Sequence, residues 1–382
     1  MKDDIKNFCP LPWIHSMLST NGAYWMCCLA NDDAQLSPNG EAFKKPFDDY
    51  RNIDYIKNVR ASMLSGKLPD TCEGCILDEQ IGNKSKRMSV LDQYIDVFED
   101  AKIHTMPDGE IDITKFPIRY RDHRFGNKCN LRCTICDCNN SDQWIPETKE
   151  FWNIDHPTLR NDLENSIYFK SILKENENID RLYFAGGEPL IHDAHHLYLE
   201  HLIKNKKAKN ITIEYNTNLL ALSNKIIDLW KHFKRIEVYI SFEGIYEYYE
   251  FLRFPGKWKV LEKNIKKIRS LNIVHDFMIV VNIYNILHLI DVIQWADKIG
   301  KIFYPRFLYN PTYLDARNVK NKKDIIDKWE TFLDNHKYKN HYMSIINFLK
   351  QTVNYDYNEF IKFDSMLCKS RNLNSNKLFK HL

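Results

Sequence analysis

The sequence predicts an α/β protein built on a parallel sheet, and three observations carry that prediction. Six short β-rich runs alternate with amphipathic helical stretches from about Ile118 onward. The 382 residues are ample for a sizeable core, as two domains or as one enlarged α/β domain. The 44% hydrophobic and 27% charged residues are the composition of an ordinary globular chain. Consecutive β–α units imply parallel pairing, either doubly wound or curled into a partial barrel. Both architectures put chemistry at the carboxyl ends of the strands.

In chain order, residues 1 to about 80 are punctuated by Pro10, Pro12, Gly22, Pro38, Gly40, Pro46, Gly66, Pro69 and Gly74. That spacing predicts an irregular segment with little core of its own, in need of a staple. A helical pattern runs from about Gly82 to Phe98, and "HTMPDGEIDITKFP" (104–117) reads as a loop or hairpin. The strands are "PIRYRDHR" (117–124), "IDRLYFAG" (179–186), "NITIEYN" (210–216), "RIEVYISF" (235–242), "HDFMIVVN" (275–282) and "IFYPRFL" (302–308). Helices are expected near 192–205, 222–233, 257–271 and 286–299, with an extra helix in the longer crossover 137–178. Three helical stretches follow residue 310. The domain reading is 1–80, a linker 81–116, a β/α domain 117–310 and a helical extension 311–382.

A net charge of +3 does not argue for nucleic acid. The basic runs "KNKKAKN" (204–210) and "RNVKNKK" (317–323) read as solvated helix ends and loops. The start, "MKDDIKNFCPLPW", is charged and lacks the apolar stretch of a signal peptide. No apolar run reaches the roughly 18 residues needed to span a membrane. The expectation is a cytoplasmic protein without membrane partners, in which thiols stay reduced. Its ten cysteines are then better read as ligands than as disulfide partners.

Four of them fall in "CNLRCTICDC" (129–138), directly after the first of the six strands. Cys129, Cys133 and Cys136 have the spacing C-x3-C-x2-C. Three closely spaced thiolates can hold three irons of a 4Fe–4S cube and leave the fourth iron open. An open position separates catalytic from structural metal sites. The competing reading is a four-cysteine zinc site completed by Cys138. Its single-residue gap from Cys136 is tighter than zinc knuckles use, so spacing favours iron–sulfur.

These residues resemble the radical S-adenosylmethionine (radical SAM) superfamily, whose signature is C-x3-C-x-Φ-C with Φ usually aromatic. Here Φ is Ile135, an apolar but non-aromatic departure, and Cys138 has no place in the motif. The resemblance implies a partial (β/α)6 TIM-like barrel, with a small irregular amino-terminal cluster-binding domain and a helical carboxyl-terminal tail around it. "AGGEP" (185–189), ending the second strand, resembles the family's GGE motif, which contacts the methionyl amino group of the cofactor. Gly186 and Gly187 permit close backbone approach, and their carbonyls plus Glu188 can accept from an ammonium. "YNTN" (215–218) and "ISFEG" (240–244) end the third and fourth strands, where the family places contacts to ribose and carboxylate. By that resemblance Asn216, Ser241, Glu243 and Asn282 join the cofactor-binding set. Glu243 stands where the common form "ISxDG" has aspartate, which leaves its role open. Arg253 is either on the substrate side or a surface ion-pair residue. His192, His195 and His196, on a predicted helix, read as surface histidines.

Upstream, Cys9, Gly22, Cys27 and "CEGC" (72–75) form the pattern C-x12-G-x4-C…C-x2-C. It resembles the twitch domain, the shorter relative of the SPASM domain, with Cys9, Cys27, Cys72 and Cys75 as ligands of an auxiliary 4Fe–4S cluster. "CEGCILDEQIGNKSKR", with Glu79, Gly82 and Ser85, is similar to amino-terminal SPASM/twitch proteins. Zinc remains open here, as does a zinc ribbon of Cys27, Cys28, Cys72 and Cys75. Cys28 and Cys368 otherwise read as spare thiols.

The resemblance implies an oxidoreductase-type enzyme that reductively cleaves S-adenosylmethionine to a 5′-deoxyadenosyl radical, which abstracts a hydrogen atom from substrate. The substrate expected is a peptide or protein undergoing crosslinking, epimerisation or oxidation, with electrons from a reduced flavodoxin or ferredoxin. The alternative is dehydrogenation of a sugar or aminocyclitol. The rival from another class is a zinc-stapled, non-catalytic binding module.

Overall fold

The computed structural model describes residues 5–31, 34–155, 163–174, 177–380 and 382. Residues 1–4 of the charged start and parts of the long 137–178 crossover lie outside these. The chain divides into two compact units: 1–127, 158–215 and 223–236, and then 128–157, 216–222 and 237–382.

In the first unit, strands β1 (His15–Leu18), β2 (Tyr24–Trp25), β3 (Tyr120–His123), β4 (Arg181–Phe184) and β5 (Thr212–Thr217) lie in the order β2-β1-β3-β4-β5. Only the β1–β2 pair is antiparallel; β1–β3, β3–β4 and β4–β5 are parallel and in register. Alternation sorts the side chains. Leu182, Phe184, Ile213 and Tyr215 are buried on one face. The helix Asp193–Lys204 covers it, with the His195 ring 4.6 Å from Phe184 and Tyr198 5.2 Å from His123. Each such buried apolar side chain contributes about 1.5–3 kcal/mol. The opposite face carries His15, Tyr120, Asp122, Arg181, Tyr183 and Glu214.

The second unit holds β6 (Arg235–Ser241, entering at residue 237), β7 (Val274–Val281) and β8 (Phe303–Phe307), all parallel. Buried and partly exposed residues alternate along β6 and β7. A parallel sheet packed on both faces would be apolar throughout; here one face of β6 and β7 is buried and the other partly exposed. The helix Trp258–Ser270 forms because Trp258, Leu261, Ile265 and Ile268 recur at helical spacing, with Lys267 and Arg269 closing its last turn. Strands β3 to β8 match the six runs read from the sequence, and the helices between them fall where expected. The fold is α/β, mostly parallel and of the partial TIM-barrel class, and helices from Lys322 to Leu378 form the tail.

The amino-terminal segment is more ordered than its prolines and glycines suggest. It supplies β1 and β2 to the sheet, and two buried arginines hold its irregular backbone. Arg60 donates to the carbonyls of Pro12 (2.9 Å) and Arg51 (2.6 Å), and Arg51 donates to Trp13 O (2.8 Å). These bonds satisfy carbonyls that no strand or helix uses. The expected helix 82–98 is two helices, Lys86–Gln93 and Val97–His104, and 104–117 contains a bridged turn at Thr105 and Ile111. His195 corrects a surface reading: it is fully buried and bonded to Tyr215 Oη at 2.8 Å. It shares the helix stripe of Tyr198, Leu199 and Leu202, so burial beneath the sheet won over its polarity. Among the described residues, no helix is long and apolar enough to cross a membrane.

Candidate cluster and cofactor sites

In the second unit, "CNLRCTIC" lies in an extended loop fixed by its surroundings. Arg132 N donates to Phe254 O and Thr134 N to Leu252 O, each at 2.8 Å. Trp144 Nε1 holds Cys133 O at 2.9 Å, Ser141 Oγ holds Leu131 O at 2.5 Å, and Cys129 N is capped by Asp142 Oδ1 at 3.1 Å. The helix Ile145–Trp152 adds Glu147, buried and ion-paired to Arg371 (2.7 Å) and Arg132 (3.4 Å). The Arg371 guanidinium stacks 4.9 Å from the Trp144 ring, so the tail helix Tyr357–Arg371 braces the loop.

None of the three motif thiols is in a disulfide, and Cys129 and Cys133 both act electrostatically on Cys136. Burial holds Cys136 well above the ordinary thiol range, with further elevation from Cys133, Asp137 and Cys129. Burial also raises Cys133, and the Arg253 guanidinium beside it draws it partly back. Arg253 in turn forms a two-point ion pair with Glu243, one contact at 2.7 Å. It is therefore an inward-facing residue, and the surface reading falls away. Cys138 is buried, and none of the charges that raise Cys136 comes from it. Cys368, in the tail, contacts Asp364.

Of the nominated cofactor contacts in this unit, Asn216 presents a buried Oδ1 with no hydrogen-bond partner, an acceptor that a ligand donor would satisfy. Ser241 is partly exposed at the end of β6. Asn282 is fully buried, accepts from Tyr284 N (3.0 Å) and donates to Val280 O (2.9 Å), so its side chain turns the chain after β7. The carboxylate of Glu243 is likewise engaged by Arg253. Asn218, which the sequence reading missed, donates to Asn130 Oδ1 at 2.7 Å beside Cys129.

In the first unit, the GGE stretch follows β4. Gly186 has φ +103°, and a Cβ there would meet Arg124 Cβ and Gly126 O at 3.1 Å, so only glycine fits without displacement. Gly187 N donates to Gly126 O at 3.1 Å. Glu188 is buried, and its Oε1 caps Leu190 N at 3.1 Å.

Cys9, Cys27, Cys72 and Cys75 line a single pocket with Leu11, Met26, Leu29 and Met63, and Lys86 and Arg87 border it too. Burial raises the Cys9 and Cys27 thiols strongly; Cys72 is pushed up to about 12 by burial, then by Cys27 and Cys75. Cys28 does not line the cavity; its Sγ lies 3.2 Å from Lys86 Nζ. The structure thus groups Cys9 with Cys27, Cys72 and Cys75. A side chain at Gly74 would strike Leu29 O at 2.6 Å, which explains a glycine inside "CEGC". Both donor sets fit a cube: thiols only, three in one place and four in another. Among the described residues, no group of three or more His, Cys, Asp or Glu side chains is arranged to hold a metal ion.

A strand ending in a three-cysteine loop, within an α/β partial barrel, defines a class of cluster-bearing cofactor domain. Residues 124–296 match the radical SAM superfamily model. Solved structures that match include native anSMEcpe with bound AdoMet, at 16% identity and TM-score 0.41, covering 56% of this chain and 60% of that one. Streptococcus suis SuiB bound to S-adenosylmethionine matches at 11% identity and TM-score 0.41, covering 74% and 64%. SuiB bound to precursor peptide SuiA matches at 11% and 0.39, covering 72% and 63%. The chain therefore spans about 60% of the length of the first of these. No curated protein matches the sequence.

Proposed function

We propose that the chain is a radical SAM enzyme that modifies a peptide or protein, with a three-thiol cluster in the second unit and a four-thiol auxiliary cluster of twitch type in the first. The observation that carries this reading is the braced loop that holds Cys129, Cys133 and Cys136, none of them in a disulfide, inside the matched segment. When bound, the three-thiol cube with S-adenosylmethionine supplies a one-electron route to a 5′-deoxyadenosyl radical. The chain's residues bind and orient. By the resemblance, Gly186, Gly187 and Glu188 would hold the methionyl ammonium, and the unpartnered Oδ1 of Asn216 is suited to accept from a ligand donor. Trp144, Arg371 and Glu147 keep the loop rigid and dry. The four-thiol cavity closes its coordination from protein alone, which suits an electron carrier or structural cube. A peptide substrate is inferred because peptide chemistry is common among proteins with this kind of auxiliary domain.

The test is anaerobic reconstitution with iron and sulfide, reduction by dithionite, and chromatography of S-adenosylmethionine products. Wild type is expected to form 5′-deoxyadenosine and Cys133→Ala none. Equal product in that variant would show the loop has been misassigned, and stoichiometric zinc without iron would favour a binding module instead. A mass change in a sugar or aminocyclitol, with none in peptides, would replace the substrate class.

A further inference from the structure

The β1–β2 hairpin of the first unit ends beside the GGE stretch, and neither thiol set uses its tip. Parallel pairing with β3 carries the chain past Leu18, whose carbonyl accepts from Arg124 N at 3.1 Å. Residues 19–22 then turn back towards β2. Gly22 N donates to Ser19 O at 3.0 Å, and Ser19 N to Ala23 O at 2.9 Å. Gly22 has φ +75°, and a Cβ there would meet Phe43 Cε2 at 2.5 Å and Gly40 Cα at 3.1 Å. The turn and the close packing behind it both call for glycine. This is the glycine of the C-x12-G-x4-C pattern, and its work is to shape the tip.

Three of the four tip residues are tied back into the amino-terminal segment. Asn21 O accepts from Gly40 N at 2.9 Å, and Asn21 Nδ2 donates to Asn39 Oδ1 at 2.9 Å. Gly22 O accepts from Ala42 N, and Ser19 Oγ donates to Ala23 O, each at 3.0 Å. Thr20 is the exception. It is partly exposed, and its hydroxyl bonds to none of the described residues. Its Cγ2 lies 3.2 Å from the point a Cβ on Gly186 would occupy. Oγ1 shares a carbon with that methyl, so an unused hydroxyl sits beside bare backbone at the carboxyl end of the strands, where such sheets bind ligands. The four-thiol pocket is elsewhere. Met26 and Cys27, at the base of the hairpin, line it, and the four residues of β1, at about 3.3 Å each, separate base from tip.

We propose that Thr20 is a cofactor-contact residue whose hydroxyl donates to the α-carboxylate of S-adenosylmethionine. This rests on the reading of the chain as a radical SAM enzyme, and adds a residue from outside the matched segment 124–296. A hydroxyl can donate or accept, and the chemistry around it chooses. The carbonyls of Gly186 and Gly187 and the Glu188 carboxylate are all acceptors, suited to the ammonium. The group that then wants a donor is the carboxylate, and Thr20 supplies one from the neighbouring strand end. Hydrogen bonds to charged groups are the stronger kind, and losing this one should weaken binding about tenfold.

The probes are S-adenosylmethionine and its decarboxylated form, which keeps the adenosine, sulfonium and amine, in equilibrium dialysis with the reconstituted full-length protein. Thr20→Val keeps the methyl that packs on Gly186 and removes only the hydroxyl. It should weaken S-adenosylmethionine about tenfold and leave the decarboxylated form unchanged. Thr20→Ser, which restores the hydroxyl without the methyl, should bind S-adenosylmethionine as wild type does. A loss shared equally by both probes would mark a structural defect and overturn the proposal. So would no loss in Thr20→Val, or a loss in Thr20→Ser as large as in Thr20→Val. 5′-Deoxyadenosine formation by the wild-type preparation keeps the two readings apart. Its presence without a carboxylate-selective loss discards the role of Thr20 alone, and its absence discards the enzymatic reading beneath.

Discussion

The two thiol sites use one residue type in opposite surroundings. Cys129, Cys133 and Cys136 sit on a loop held from outside by Trp144, Glu147, Arg132, Arg253 and Arg371. Cys9, Cys27, Cys72 and Cys75 line a pocket whose other walls are Leu11, Pro12, Met26, Leu29 and Met63, with Lys86 and Arg87 at its border. The first set is held by charged side chains around its loop; the second sits in a mainly apolar lining with two cations beside it. The contrast teaches that the number of cysteines sets how many cluster irons can be held, while the surroundings set whether anything else reaches them.

The largest expected effect comes from unpairing the brace. Arg371→Met leaves Glu147 buried with only Arg132 at 3.4 Å, and should cost about 3–5 kcal/mol in the second unit by urea unfolding. The double variant with Glu147→Leu should recover much of that loss; no recovery would mean that stacking on Trp144, and not charge, dominates.

Next in size, acid should undo the first unit before the second. Burial, with Lys86 beside it, holds His15 down at about 4, and burial depresses His123 and His195 further. Each must be neutral when folded but protonates when unfolded below about 6.5. The stability they confer is therefore complete above pH 6.5 and falls progressively between 6.5 and 4, by about 3 kcal/mol for His15 alone. Hydrogen exchange at pH 5 should show β1 and β3 opening earlier relative to pH 7, while β8, which carries no histidine, changes less. Equal acid loss in both units would contradict the assignment.

A smaller effect is expected at Gly186→Ala, where φ +103° and contacts near 3.1 Å should cost about 1–3 kcal/mol and weaken S-adenosylmethionine binding in dialysis. The smallest is electrostatic. Arg253→Gln removes a positive charge beside Cys133 and should make the three-thiol cluster harder to reduce in a redox titration, leaving the four-thiol cluster unmoved. Arg253→Gln with Glu243→Gln should return most of the shift.

Much of this was legible in the sequence. Period-two runs such as "RLYF" and "VHDFMIVV" marked the strands, because one sheet face is apolar and the other is not. "CNLRCTIC" at a strand end marked the loop. What escaped depends on distant partners. β1 is four residues inside a proline-punctuated segment, and its order comes from β3 and from carbonyls clamped by Arg51 and Arg60. The ion pair of Arg253 with Glu243, the brace from Arg371 over two hundred residues downstream, and Lys86 meeting Asp122 leave no local pattern. The burial of His195 was readable, since it shares the stripe of Leu199 and Leu202.

The most direct test of the open and closed sites is electron paramagnetic resonance of reduced, reconstituted protein titrated with S-adenosylmethionine. Two variants are compared, one with Cys9, Cys27, Cys72 and Cys75 all replaced by alanine, the other with Cys129, Cys133 and Cys136 so replaced. Each should retain about four irons, against about eight in wild type. The cofactor should change the spectrum of the first variant and leave that of the second untouched. A spectral response in the second variant, or none in the first, would contradict the account.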